Sequence, residues 1–290
     1  MALVPHQRGR RSMSDLAVRL TGDLRQIHLA WTAPSEAETF VIHGRPMQVA
    51  PRGARPLSGP QVLAEVSRAD YLHGGLSVHG ETWEYVVRGL DRDGVPCAQS
   101  SPMSVTSKPS VTVTGRAVAT VGSFDGVSSE LALAGRAYVR YQSTFPRDVD
   151  FHHGRDEAAT QWSWLHPGPE DAWAGRRTHS FRLHFDLAGP PRSDFDFAVW
   201  LTDRHPSRAG AASVWINDIL CDPVIFAGPF DADLSGPELQ SDLPGRGSGP
   251  AYFERPLPHS LLRAGENCLE IVKDQGSWIA YDAVGIFARS

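Results

Sequence analysis

The densest group of ionisable side chains in this sequence is His152-His153, with Asp148, Asp150, Asp156 and Glu157 close by along the chain. Histidine exchanges protons near neutral pH, and a neighbouring carboxylate can orient it. With His152 as base, Arg155 as charge neutraliser and Tyr141 as acid, the residue types for β-elimination from a uronate ring are present. No spacing selects these three over other His, Arg and Tyr residues. Adjacent histidines on an extended chain point to opposite sides, so the pair does not predict converging metal ligands. A solvated loop of mixed charge is the plainer reading of the segment, and no metal site is expected from it.

Aromatic residues offer a second kind of chemistry. Trp162 and Trp164 precede His166-Pro167-Gly168-Pro169-Glu170-Asp171, which reads as loop, and Trp278 follows the turn Gln275-Gly276-Ser277. An exposed indole can stack on the apolar face of a sugar ring while charged groups take its hydroxyls. A loop-rim site is therefore expected to use Trp162, Trp164, Trp278, Arg155 and Asp282. The competing reading is a Trp-x-Trp edge strand beneath the loop, with Trp278 and Asp282 packing the closing strand. Trp200 and Trp215 alternate with aliphatics and are expected in the core.

Other chemistries lack support. There is no G-x-x-x-x-G-K loop and no G-x-S-x-G elbow. Asp231, Asp233 and Asp242, with Asp125 and Asp282, have the oxygen ligands of a structural calcium site, although D-x-D-x-D-G spacing is missing. No other cofactor is expected. The only lysines are Lys108 and Lys273, and neither is expected to be a buried base of lowered pKa. Cys97, Cys221 and Cys268 have no C-x-x-C spacing; Cys221 and Cys268 could pair only if their strands are neighbours.

These residues need elements to hold them. The 290 residues are 41% hydrophobic and 21% charged, typical of globular domains, and the length suggests two of them. A formal charge of −5 argues against a nucleic-acid partner, and no apolar run is long enough for a membrane helix. With 27 Gly and 22 Pro, the chain suits short strands and turns better than long helices. The basic start of the chain lacks an apolar run, so no secretion signal is visible and the compartment is left open.

Period-2 runs mark the strands. Ile27, Leu29 and Trp31 share one face, as do Trp83, Tyr85 and Val87. Later runs are Arg182 to Leu187, Phe195 to Leu201, Ser213 to Asn217, Asn267 to Val272 and Trp278 to Phe287. The fold class is all-β. A flexible N-terminus over 1–14 is expected, then one domain over 15–107 and a second over 112–290, joined by the polar stretch Thr106 to Ser110.

The first domain resembles a fibronectin type III module. The resemblance rests on Leu29-Ala30-Trp31-Thr32-Ala33-Pro34, on Trp83-Glu84-Tyr85-Val86-Val87 with the Asp91–Gly94 turn, and on Ser100 to Val105. It implies a β-sandwich with Tyr85 as its tyrosine corner. The second domain resembles a galactose-binding-like jelly roll, through Val214-Trp215-Ile216-Asn217-Asp218, Leu257 to Ile271, and Tyr281 to Ile286. Thr120 to Gly126 and Phe145-Pro146-Arg147-Asp148 further resemble the C-terminal, non-catalytic domain of polysaccharide lyase family 4 rhamnogalacturonan lyases. That resemblance implies a jelly-roll β-sandwich, a polysaccharide or oligosaccharide ligand, and a separate catalytic lyase as partner. The family is usually secreted, and its catalytic Lys and His belong to a domain that precedes these two. The resemblance therefore implies a carbohydrate-binding accessory protein of pectin or rhamnogalacturonan degradation. The alternatives are a polysaccharide lyase acting on uronate-containing glycans and a structural adhesion or spacer protein.

Overall fold

The structure, a computed structural model, describes residues 13–47, 59–135, 137–226, 244 and 248–289. The chain divides into two compact units, Met1–Ser110 and Val111–Ser290. Both are β-sandwiches. No helix among the described residues is long and apolar enough to cross a membrane.

Unit 1 is built from β1 (Ser14–Asp15), β2 (Val18–Asp23), β3 (Gln26–Trp31), β4 (Thr39–Pro46), β5 (Gln61–Val66), β6 (Asp70–Gly74), β7 (Thr82–Leu90), β8 (Pro96–Gln99) and β9 (Met103–Thr106). One sheet runs β1-β8-β7-β4-β5 with β9 also on β7, and the other runs β2-β3-β6. The alternating residues face inward as expected: Ile27, Leu29 and Trp31 from one sheet meet Trp83, Tyr85 and Val87 from the other. The Asp91 carboxylate closes the turn after β7 by accepting the backbone N–H of Asp93 and Val95.

Three expectations change here. The Tyr85 hydroxyl pairs with His73 Nδ1 at 2.7 Å, on β6, where a tyrosine corner would use backbone close upstream. Of the N-terminal stretch, Ser14 already pairs with Ala98, and residues 1–12 lie outside the described residues. The segment 106–110 is tied to unit 1. Ser107 N–H donates to the Glu81 carbonyl, Ser110 N–H donates to the Val78 carbonyl, and Lys108 reaches Asp23 at 3.1 Å.

Unit 2 contains β10 (Gly115–Gly122), β11 (Val149–His152), β12 (Leu165–His166), β13 (His179–Leu187), β14 (Phe195–Arg204), β15 (Ala211–Ile216), β16 (Ile219–Ile225), β17 (Ala251–Leu257), β18 (Gly265–Lys273) and β19 (Ile279–Arg289). One sheet is β10-β19-β14-β17 with β12 on β19; the other is β11-β13-β18-β15-β16. Strand β19 is buried along nearly its whole length, and Phe181, Leu183, Leu269 and Ile271 fill the space opposite. Each such side chain contributes about 1.5–3 kcal/mol of burial.

The two motifs behind the jelly-roll resemblance lock together. Asn217 and Asp218 both have positive φ (49° and 66°), the geometry of a tight hairpin between β15 and β16. The Asn217 amide donates to the Leu261 carbonyl and to Asn267 Oδ1, and its oxygen accepts Cys268 N–H. Asn267, almost fully buried, donates in turn to the Arg263 and Gly265 carbonyls. Gly265 has φ 77°, as the turn before this strand requires.

The opening and closing motifs meet as well. Gly122 approaches the Asp282 carbonyl so closely that an added Cβ would sit 2.3 Å from it. All three cysteines are free. Cys221 and Cys268 stand on β16 and β18 with β15 between them, so their strands are not neighbours.

Candidate functional site

Three of the expected sugar contacts are internal. Trp162, Trp164 and Trp278 are 1%, 6% and 0% exposed, leaving no ring face for a ligand. Trp162 meets Phe151 and Phe181 edge-on, and Trp164 donates its indole N–H to Thr202 Oγ1 at 3.2 Å. The segment read as loop is held because Leu165-His166 pairs with Ala280 and Ile279 of β19, drawing the preceding tryptophans inside. Asp282 is also buried, and its two carboxylate oxygens each accept Gly126 N–H at 3.0 Å. Burial, with Asp125 and Glu130 nearby, pushes its pKa up to about 7. It caps the Gly126 turn. Asp231, Asp233 and Asp242 lie outside the described residues, as does most of the 230–250 loop.

Nor does the acid–base trio assemble. Arg155 contacts His152 Nδ1, but Tyr141 is fully buried against Phe145, Trp173 and His179. Burial raises its hydroxyl pKa far above the ordinary value. Lys273 corrects the opposite expectation. It is the last, inward-facing residue of β18, fully buried, and its Nζ donates to the carbonyls of Gln275 and Ala211. Burial lowers its pKa to about 8, opposed by the carboxylates of Asp171, Asp274 and Glu170.

What faces solvent is the outer side of the sheet β11-β13-β18-β15-β16. Strand alternation fixes the set: with Val149, Phe151, Leu183, Leu269, Val214 and Ile216 inward, Asp150, His152, Arg182, His184, Cys268, Glu270 and Trp215 turn outward. Register aligns them across the strands. Asp150 lies beside Arg182, Arg182 beside Glu270, and Glu270 beside Trp215; one step along, His152 lies beside His184 and His184 beside Cys268. Trp215, expected in the core, is half-buried on this face.

Two grooves meet at Arg182. One, of about 290 Å³, is lined by Trp215, His184, Arg263, Glu266 and Glu270, among others. The other, of about 790 Å³, runs past the edge strand β11 and brings Arg147, Arg177 and Arg182 together with Asp148 and Asp150. Two of those arginines are already engaged: Arg182 reaches Glu270 at 2.7 Å, and Arg177 reaches Asp148 at 2.7 Å. The arrangement can present an aromatic platform, fixed guanidiniums and carboxylate acceptors to a polar ligand.

Sequence reasoning missed Trp215, Arg147, Arg177, Arg182 and His184 as site residues. The D-x-H of β11 and R-x-H of β13 were visible, but nothing in the sequence places those strands side by side.

No family model matches this chain, and no curated protein matches it. Among solved structures it is similar to pectate lyase PelI from Erwinia chrysanthemi, solved with tetragalacturonic acid, at 9% identity and TM-score 0.24. That likeness covers 32% of this chain and 28% of the enzyme, so the chain spans under a third of the enzyme's length. It is similar to a family 35 carbohydrate-binding module from an environmental isolate at 14% identity and TM-score 0.27, over 39% of this chain and 70% of that one. A fibronectin type III domain of human fibronectin type III domain containing protein 3 gives 15% identity and TM-score 0.28, over 35% and 89%. The last two are β-sandwich domains, in keeping with the fold class, and none of the three carries anything further about this chain.

Proposed function

We propose that the second unit binds an acidic oligosaccharide on the outer face of the sheet β11-β13-β18-β15-β16, with Trp215 as stacking platform. The observation that carries this reading is the position of Trp215, half-buried in a groove among Arg182, Arg263 and three carboxylates. The adjoining groove brings the planar forks of Arg147, Arg177 and Arg182 together, a geometry suited to a uronate, with Arg177 and Arg182 held in place by ion pairs to Asp148 and Glu270. In this reading the chain is a carbohydrate-binding accessory protein for pectin or rhamnogalacturonan-type polymers, working beside a separate lyase. Residues 112–290 form the binding module and 15–107 the fibronectin type III partner.

The test is titration of oligogalacturonate and rhamnogalacturonan fragments, with neutral glucans as controls. Binding should fall about 5- to 150-fold in Trp215→Ala, the loss of one stacking contact of about 1–3 kcal/mol, by analogy with base stacking on aromatic side chains. Unaltered affinity in folded Trp215→Ala would reject this face. Ultraviolet absorbance from unsaturated product would favour the lyase reading instead, and no binding to any glycan would favour the spacer.

A further inference from the structure

We propose that Asp150, His152 and His184 form a binding site for a divalent zinc-class ion. Each offers one donor atom, and the three atoms lie within 4.8 Å of one another. Strand geometry supplies the convergence: Asp150 and His152 are alternate residues of β11, and the parallel register sets His152 directly beside His184 of β13. Tetrahedral zinc with bonds of about 2.0–2.2 Å needs donors about 3.3 Å apart. Small side-chain rotations reach that spacing, opening the 2.6 Å between His184 Nε2 and Asp150 Oδ1 and drawing the wider pairs together.

The surroundings are those of a cation site. His184 Nδ1 lies 3.2 Å from Glu266 Oε1, while its Nε2 lies 2.6 Å from Asp150 Oδ1. Nδ1 makes no hydrogen bond as it stands, and a small turn of the ring would let it donate to Glu266, the carboxylate support usual for a ligating histidine. His152 Nδ1 contacts the Arg155 guanidinium, which can only donate, so its lone pair is held by that cation and a metal ion would take the guanidinium's place. Arg155 is exposed, and its guanidinium must leave His152 for the ion to bind there. The two imidazoles are stacked with centroids 4.4 Å apart, and the Cys268 sulfur lies 4.0 Å from His184 Nε2 on the next strand. Two imidazoles and one carboxylate suit zinc, whereas calcium takes oxygen ligands. The site does not depend on the glycan reading, since all three protein ligands belong to this chain and water can take the fourth position.

The experiment is a zinc titration of the tag-free full chain, stripped with chelator, with no glycan present and against a chromophoric competitor. The expected result is one zinc per chain, with calcium unable to compete. Affinity should fall at least tenfold in His152→Gln and again in Asp150→Asn, and Arg155→Ala should bind at least as tightly as the parent. His152 is on an edge strand and half-exposed, so its variant is expected to fold; circular dichroism checks this. Cobalt substitution gives a second readout, a visible ligand-field band that disappears in His152→Gln. Absence of stoichiometric zinc, or parent-like binding in folded His152→Gln, overturns the proposal. Loss of glycan binding with zinc binding intact would reject the carbohydrate reading alone.

Discussion

Tyr281 and His166 form a buried pair 2.7 Å apart, hydroxyl to Nδ1, while His166 Nε2 lies 2.8 Å from the His179 carbonyl. A carbonyl only accepts, so Nε2 carries the proton and Nδ1 takes the tyrosine hydroxyl's hydrogen. His166 is thus held neutral, and burial lowers its pKa well below the ordinary value. Burial likewise lowers His179 to about 4.

Both histidines bind fewer protons folded than unfolded between their lowered values and about 6.5. Stability should therefore rise with pH through that window and level off above it. Urea unfolding at stepped pH checks the slope. Tyr281→Phe should cost about 1–3 kcal/mol at pH 7.5 by leaving Nδ1 without its donor.

Asp282 gives the reverse sign. Its folded pKa, about 7, lies above the ordinary value of 3.8, so the folded state holds the extra proton between them. Its contribution is fully present below about 4 and is lost as pH rises through 7. Asp282→Asn should flatten that decline, measured as the difference in unfolding free energy between variant and parent from pH 4 to 8. An unchanged slope would show that Asp282 is ionised throughout.

Lys273 acts in alkali. With its pKa lowered to about 8 from 10.5, the unfolded chain binds more protons between those values. Stability should rise from pH 8 to 10.5 by an amount on the order of 3 kcal/mol, relative to Lys273→Met. Parallel curves for variant and parent would count against a lowered pKa at Lys273.

The tryptophans should separate cleanly by location. Trp162→Ala and Trp278→Ala empty core positions and should cost about 3–5 kcal/mol each. Trp215→Ala, on the outer face, should cost much less while removing ligand affinity. Thermal unfolding and glycan titration on the same preparations give both quantities.

Much of the fold was legible because period-2 alternation survives in β3, β7, β13 and β18, where a charged or polar residue marks the outward phase. In β15 the run Val214-Trp215-Ile216 is apolar throughout, so the sequence leaves the phase unmarked, and alternation with aliphatics points Trp215 the wrong way. The Trp162–Trp164 segment failed differently: its neighbouring prolines and glycine signal a loop, while pairing to β19 buries it. The His152–His184 juxtaposition depends on register between two strands separated by an excursion of 26 residues, for which no local spacing codes.

One consequence follows from the way β10 and β19 pair. They run antiparallel, with Gly115 opposite Arg289, so the second unit's opening and closing strands begin and end at the same corner. Such a body needs only a single gap in a host surface to be spliced in as an insert. It should equally tolerate circular permutation, with Gly115 and Arg289 bridged by a short glycine-serine tether and new ends cut away from the hydrogen-bonded Asn217 hairpin.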